Sequence, residues 1–114
     1  MAKTQTKFAG IEEHQLVEII KRIVAVAKPQ KIILFGSGGR GQLGPSSDLD
    51  ILVVKDCVGR RALAQEIYSH MRGIEIGLDI VVATSDDLDR FKDSPTVVIG
   101  QALKEGTVIY DEVA

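Results

Sequence analysis

KIILFGSGGRGQLGPSSDLDILVVKD, Lys31 to Asp56, is the stretch on which the architecture turns. An apolar run, Lys31 to Phe35, leads into a glycine-rich turn, Gly36-Ser37-Gly38-Gly39-Arg40-Gly41. A breaker-rich connection with Gly44 and Pro45 follows, then Ser47-Asp48-Leu49-Asp50 and a second apolar run, Ile51 to Val54. Both apolar runs read as strands, the second beginning at about Asp48. Their connection is short and the turn has to meet the carboxylates. The spacing therefore predicts an antiparallel pair, the end of one strand beside the start of the other. Side chains alternate along an extended chain, so Asp48 and Asp50 project from one face, about 7 Å apart.

Two carboxylates at the mouth of a buried strand are costly unless something cationic sits between them. Their oxygens suit a hard cation such as Mg²⁺, which takes oxygen ligands and stays bound to substrate phosphates. The backbone amides of Gly36 to Gly41, entering a short helix, make an anion cradle, and Gly38, Gly39 and Gly41 let a phosphate approach closely. A phosphate cradle beside a carboxylate pair is equipment for phosphoryl or nucleotidyl transfer. Ordinary turn chemistry accounts for Asp48 after two serines, but not for Asp50, which lies inside the apolar run. Ser37 reads both as a helix cap and as a phosphate contact, and the two roles are compatible. Arg40 reads equally as a phosphate contact and as a brace for the turn.

A rival motif overlaps the same residues. Gly36-x-Gly38-x-x-Gly41 fits the dinucleotide-binding fingerprint, and Asp56 lies twenty residues after Gly36, where the ribose-binding acid belongs. That fold needs a crossover helix between the glycines and the next strand. Only six residues, Gln42 to Ser47, separate Gly41 from Asp48, and Gly44 and Pro45 are among them. A phosphate-loop NTPase fails as well, since no Gly-Lys-Ser or Gly-Lys-Thr closes the loop.

Outward from this centre, residues 1–9 are polar and read as a loose tail. From Ile11 to Lys28 the apolar positions Leu16, Ile19, Ile20, Ile23, Val24 and Ala27 recur at helical spacing, with Pro29 setting the end. Gly59 to Arg72 reads as a second helix with Leu63, Ala64, Ile67, Tyr68 and Met71 on one face and Gly73 as its cap. Glu75 to Ala83 reads as a third strand, apolar except for Asp79, the evident third carboxylate. Asp79 reads either as a site residue, since burying an unpaired charge is expensive, or as a strand-edge acid paired to a lysine or arginine. Thr84 or Ser85 caps a short helix with acids in its first turn. Pro95 suits the first turn of a helix through Lys104, ended by Gly106, and Thr107 to Tyr110 makes a last strand. The pattern is an α/β (α+β) sandwich over a mixed four-stranded sheet, in a single domain of residues 1–114.

Composition bounds the partners. The chain is 45% hydrophobic and 26% charged with a net charge of −2, which gives no general attraction to nucleic acid or anionic membrane. Its one cysteine, Cys57, offers no disulfide framework, in keeping with a reducing cytoplasm. The N-terminal residues lack the apolar core of a signal peptide, and no apolar run approaches the ~20 residues that span a bilayer. His14 and His70 have no partners at metal-ligand spacing, Arg60 and Arg61 read as a solvated face, and Asp86, Asp87 and Asp89 read as a solvated helix start.

Gly36-Ser37, ten residues and then Asp48-Leu49-Asp50 resembles the G-S-x10-D-x-D signature of polymerase-beta-type nucleotidyltransferases. The small size resembles their minimal members, bacterial and archaeal proteins usually paired with a HEPN-type partner. The resemblance runs from the first helix to Gly106–Tyr110 and departs at Gly38, where the family often has arginine. It implies that Asp48 and Asp50 hold the Mg²⁺ that carries a nucleoside triphosphate, plausibly ATP, with Mn²⁺ as a substitute. Ser37 and the Gly36–Gly41 amides grip the β- and γ-phosphates, and Asp79 joins in placing a second ion beside an acceptor hydroxyl. It further implies a homo- or hetero-oligomer, with the acceptor on a HEPN toxin and this chain the antitoxin. A different class stays open: a non-catalytic module that neutralises or scaffolds its partner by contact, with a vestigial site. A receiver-like phospho-acceptor needs five βα units, and the chain is too short for it.

Overall fold

Lys31–Phe35 and Leu49–Val54 form, as expected, two antiparallel strands at the centre of a sheet. A computed structural model describes residues 7–8, 11–35, 49–94 and 97–113. In chain order the elements are β1 (Lys7–Phe8), β2 (Ile11–Glu12), α1 (Glu13–Ala27), β3 (Lys31–Phe35), β4 (Leu49–Val54), α2 (Arg60–Ser69), β5 (Leu78–Ala83), α3 (Ser85–Phe91), α4 (Val98–Glu105) and β6 (Thr107–Asp111). The main sheet has the order β5-β4-β3-β6; β1 and β2 form a separate two-stranded piece. β3 is antiparallel to β4 and to β6, whereas β4 and β5 are parallel. The antiparallel β3–β4 pair removes the dinucleotide-binding reading, whose first two strands run parallel.

Central strands buried on both faces explain the near-continuous apolar runs. Ile32, Leu34, Leu49, Ile51 and Val53 pack on one face with Leu16, Ile19 and Ile23 of α1 and Ile67 of α2. Ile33, Phe35, Leu52 and Val54 pack on the other with Ala102 of α4, and with Leu88 of α3 against them. Each fully buried Leu, Ile or Val contributes about 1.5–3 kcal/mol relative to exposure. Pairs of helices thus cover both faces of the mixed sheet, an α+β architecture. Among the described residues no helix is long and apolar enough to cross a membrane.

The elements depart from expectation mainly at their ends. Lys7 and Phe8 are not part of a loose tail: they pair with Glu12 and Ile11, and that pairing draws Ile11 and Glu12 out of the helix, which begins at Glu13. α1 ends at Ala27, with Lys28 in the left-handed region (φ 47°), the conformation that turns the chain before buried Pro29. α2 stops at Ser69, not Arg72. The amides of His70 and Met71 bond back to the carbonyls of Ile67 and Tyr68, tightening the end into a turn, and Gly73 (φ 88°) lies beyond it. β5 starts at Leu78, not Glu75, because its ladder begins where Leu49 of β4 can meet it. α4 starts at Val98, after Val97 in extended conformation, with the Val97 amide bonded to the Ser94 carbonyl. Pro95 lies outside the described residues.

Candidate active site

Strand register brings two of the three predicted carboxylates together. Asp50 of β4 lies directly opposite Asp79 of β5, between the Leu49–Leu78 and Ile51–Ile80 pairs. Adjacent strands run about 4.8 Å apart, and side chains at paired positions of a parallel ladder share a face. Asp50 therefore shares a face with Asp79. On the other side of β4, Asp50 pairs with Phe35, the last residue of β3. β3 thus ends across from Asp50, and β4 begins one residue before it, at Leu49. Gly36, Ser37, Gly38, Gly39, Arg40, Gly41 and Asp48 themselves lie outside the described residues.

The surroundings of the two carboxylates differ. Asp50 is half-buried on a central strand, flanked on both sides by ladder partners. Asp79 is exposed on the outermost strand. Burial of a lone charge in an apolar strand is therefore not what marks Asp79; its register with Asp50 is. Two like charges about 5 Å apart repel by ~1 kcal/mol in a water-like medium and by ~3 kcal/mol nearer the protein. A divalent cation turns that repulsion into attraction, and two carboxylates supply the oxygen donors such an ion takes. The donor set fits Mg²⁺ or Mn²⁺. Among the described residues no three His, Cys, Asp or Glu side chains form a metal-binding group, so Asp50 and Asp79 make a two-carboxylate arrangement there.

Two groups that sequence reasoning treated as core or solvated surface play other parts. Tyr68 is not simply on the apolar face of α2. The residue is 41% exposed, and its hydroxyl accepts a 2.7 Å hydrogen bond from the Ile80 amide, next to Asp79. An aromatic at helical spacing carries no signal that would have revealed that bond. Arg60 is not merely solvated, because its guanidinium pairs with Asp87. Asp87 in turn forms a capping box with Thr84, each side chain bonding the other's backbone amide. The Thr84 amide, opposed by partial burial and helped by Arg60, holds the Asp87 carboxyl below its ordinary range. Both lie beyond the Val54–Ala83 end of the ladder, opposite the Asp50–Asp79 end, and brace the fold.

His14 and His70 are exposed, as expected of histidines outside a metal site, and Cys57 is a half-buried free thiol packed against the core.

Comparison with known proteins bears on the fold and the family. Residues 17–113 match the family model described as "Polymerase beta, Nucleotidyltransferase". No curated protein sequence matches the chain. Among solved structures, a protein of Sulfolobus solfataricus assigned as a nucleotidyltransferase is 21% identical with a TM-score of 0.57, over 88% of this chain and 80% of that one. A toxin-antitoxin complex with AMP-PNP gives 20% identity and a TM-score of 0.61, over 89% and 74% of the two chains. The toxin-antitoxin MntA-HpeT, in a form with two aspartates exchanged for glutamate, gives 18% and 0.60 over the same shares. At these identities the structures establish a common fold, the nucleotidyltransferase fold, whose family generally uses divalent metal ions. With the family model covering most of its length, the chain belongs to the polymerase beta-type nucleotidyltransferases, an enzyme family.

Proposed function

We propose that this chain is a divalent-metal-dependent nucleotidyltransferase that moves a nucleoside monophosphate, AMP from ATP, to a hydroxyl on a HEPN-type toxin, and so acts as its antitoxin. The observation that carries the reading is the Asp50–Asp79 register, two carboxylates in the same position on neighbouring parallel strands. Asp48 and Asp50 would hold the ion that travels with the triphosphate, and Asp79 would join them in holding a second. Bound there, the ions neutralise the triphosphate and lower the pKa of the acceptor hydroxyl. Ser37 and the amides of Gly36, Gly38, Gly39, Arg40 and Gly41 grip the β- and γ-phosphates. Asp79, on the outer strand, orients the acceptor oxygen in line with the α-phosphate so that pyrophosphate departs on the far side. Support for ATP and for a toxin partner comes from the similar toxin-antitoxin complex that contains AMP-PNP. The unpaired Cys57 suits the cytoplasm, where such a pair would meet.

Incubation with Mg²⁺, α-labelled ATP and the neighbouring gene's product tests the proposal. Label should appear on the partner and disappear with EDTA. A stable complex that gains no label with Mg²⁺ or Mn²⁺ would make the chain a contact module instead.

A further inference from the structure

Asp79 stands on an edge strand, where one row of backbone amides and carbonyls faces outward and pairing is easily lost. Two bonds fix which row that is. The Leu49 amide donates to the Gly77 carbonyl at 2.8 Å, and the Lys55 amide donates to the Ala83 carbonyl at 2.9 Å. Bonding direction alternates along a strand, so the odd-numbered residues of β5 face β4 and the even-numbered ones face out. The Ile80 amide therefore points away from the sheet, and the Tyr68 hydroxyl accepts from it at 2.7 Å. That amide belongs to the peptide joining Ile80 to Asp79. Fixing its plane fixes the backbone that carries the carboxylate.

Tyr68 is itself held. It sits in the last turn of α2, and the backbone just beyond is clamped to α1. The Arg22 guanidinium donates to the Arg72 carbonyl at 2.6 Å and to the His70 carbonyl at 3.3 Å. Glu18 secures Arg22 from the preceding turn at 2.8 Å. On the chain's own approach to Asp79, residues 70–76 are turns, a bend and irregular chain, outside the strand ladder. Among the described residues, a hydrogen bond to the outward row beside Asp79 thus comes from α2, through the Tyr68 hydroxyl.

We propose that Tyr68 is a positioning residue for nucleotidyl transfer: its hydroxyl holds the Asp79–Ile80 peptide so that the Asp79 carboxylate stays opposite Asp50. The proposal rests on the assignment of Asp79 to the site. Tyr68 acts through the backbone and touches neither nucleotide nor acceptor. Asp50 needs no such help, because β4 is bonded on both edges. The proposal therefore separates two quantities. Loss of the hydroxyl slows transfer by about tenfold, the scale seen when a hydrogen bond that orients a ligand is removed. Affinity for the metal–triphosphate, held from β4 and the turn, stays the same.

Tyr68→Phe keeps the ring and removes only the oxygen, and water replaces it at an exposed edge. Three measurements on this variant and on wild type decide the matter: exchange of the Ile80 amide by NMR in the metal-free protein, KM for Mg-ATP, and the rate of label transfer from ATP to the HEPN-type protein. The expected result is an Ile80 amide that exchanges about tenfold faster, transfer slowed about tenfold, and KM within about twofold of wild type. Unchanged exchange, or faster exchange with transfer at the wild-type rate, overturns the positioning role. A raised KM with unchanged transfer also overturns it, because Tyr68 would then contact the nucleotide. Asp79→Asn measured alongside keeps the two proposals apart. If it is inactive, failure of Tyr68→Phe condemns the positioning role alone; if it transfers normally, Asp79 leaves the site and the inference falls with it.

Discussion

Replacing Asp79 with asparagine should make the metal-free protein more stable and the enzyme nearly inactive. The register places Asp79 one strand spacing from Asp50 on the same face. Because Asp79 is exposed, the water-like end of the Coulomb range applies, and removing its charge relieves ~1 kcal/mol of repulsion. In a domain of this size that corresponds to a rise in melting temperature of about 4 °C. Metal leaves that order in place. A ligand at ten times its Kd stabilises the wild type by about 1.4 kcal/mol, and the variant, which keeps the Asp50 and turn contacts to the metal–triphosphate, should gain about as much. Transfer should fall a hundredfold or more, about 3 kcal/mol in the transition state. Thermal melts with EDTA and with Mg-ATP, combined with single-turnover transfer, measure all three effects. An Asp79→Asn protein that melts lower in EDTA and transfers at the wild-type rate would refute the reasoning and leave Asp79 a structural acid.

Asp50→Asn should lose metal-dependent triphosphate binding as well as transfer, and calorimetry with and without EDTA would show it; retained Mg-ATP affinity would move the metal elsewhere. Gly100→Ala should destabilise by about 2 kcal/mol or more despite the better helix propensity of alanine, because the new Cβ would lie 2.1 Å from the Ser94 carbonyl oxygen and 2.7 Å from that of Phe91. Urea unfolding tests this, and an unchanged midpoint would show that the α3–α4 connection yields freely. Asp87→Ala should cost about 1 kcal/mol at neutral pH through loss of the capping box. Since the folded Asp87 carboxyl titrates below its ordinary value of 3.8, its contribution is complete above that pH and is lost as pH falls through the lower folded value. The wild-type and variant melting temperatures should accordingly converge in strong acid, and a gap that persists there would place the stabilisation elsewhere.

Local pattern in the chain determined a good deal of this protein. The apolar runs around Lys31–Phe35 and Leu49–Val54 specified two buried strands, and the brevity of their connection specified that they run antiparallel. Helical spacing of Leu16, Ile19, Ile20 and Ile23 specified α1, and a cap at Thr84 or Ser85 followed by acids specified the start of α3, where the structure chooses Thr84. Asp50 stood out as a candidate site residue because a carboxylate inside an apolar strand has few other uses. These signals are short-range: each depends on residues within a turn or two of one another. Tertiary structure alone decided that Asp79, twenty-nine residues further on, lies opposite Asp50, because the register of a parallel pair is set by a crossover and by packing on both faces. It also decided that Asp79 is exposed at an edge, that Lys7 and Phe8 pair with Ile11 and Glu12, and that the Tyr68 hydroxyl reaches the Ile80 amide. A hydrogen bond across twelve residues, or a guanidinium shared between α1 and the end of α2, leaves no periodicity to read. Such contacts arise only once the hydrophobic faces have fixed where the elements lie, and polar groups then bond to whatever that packing brings within reach.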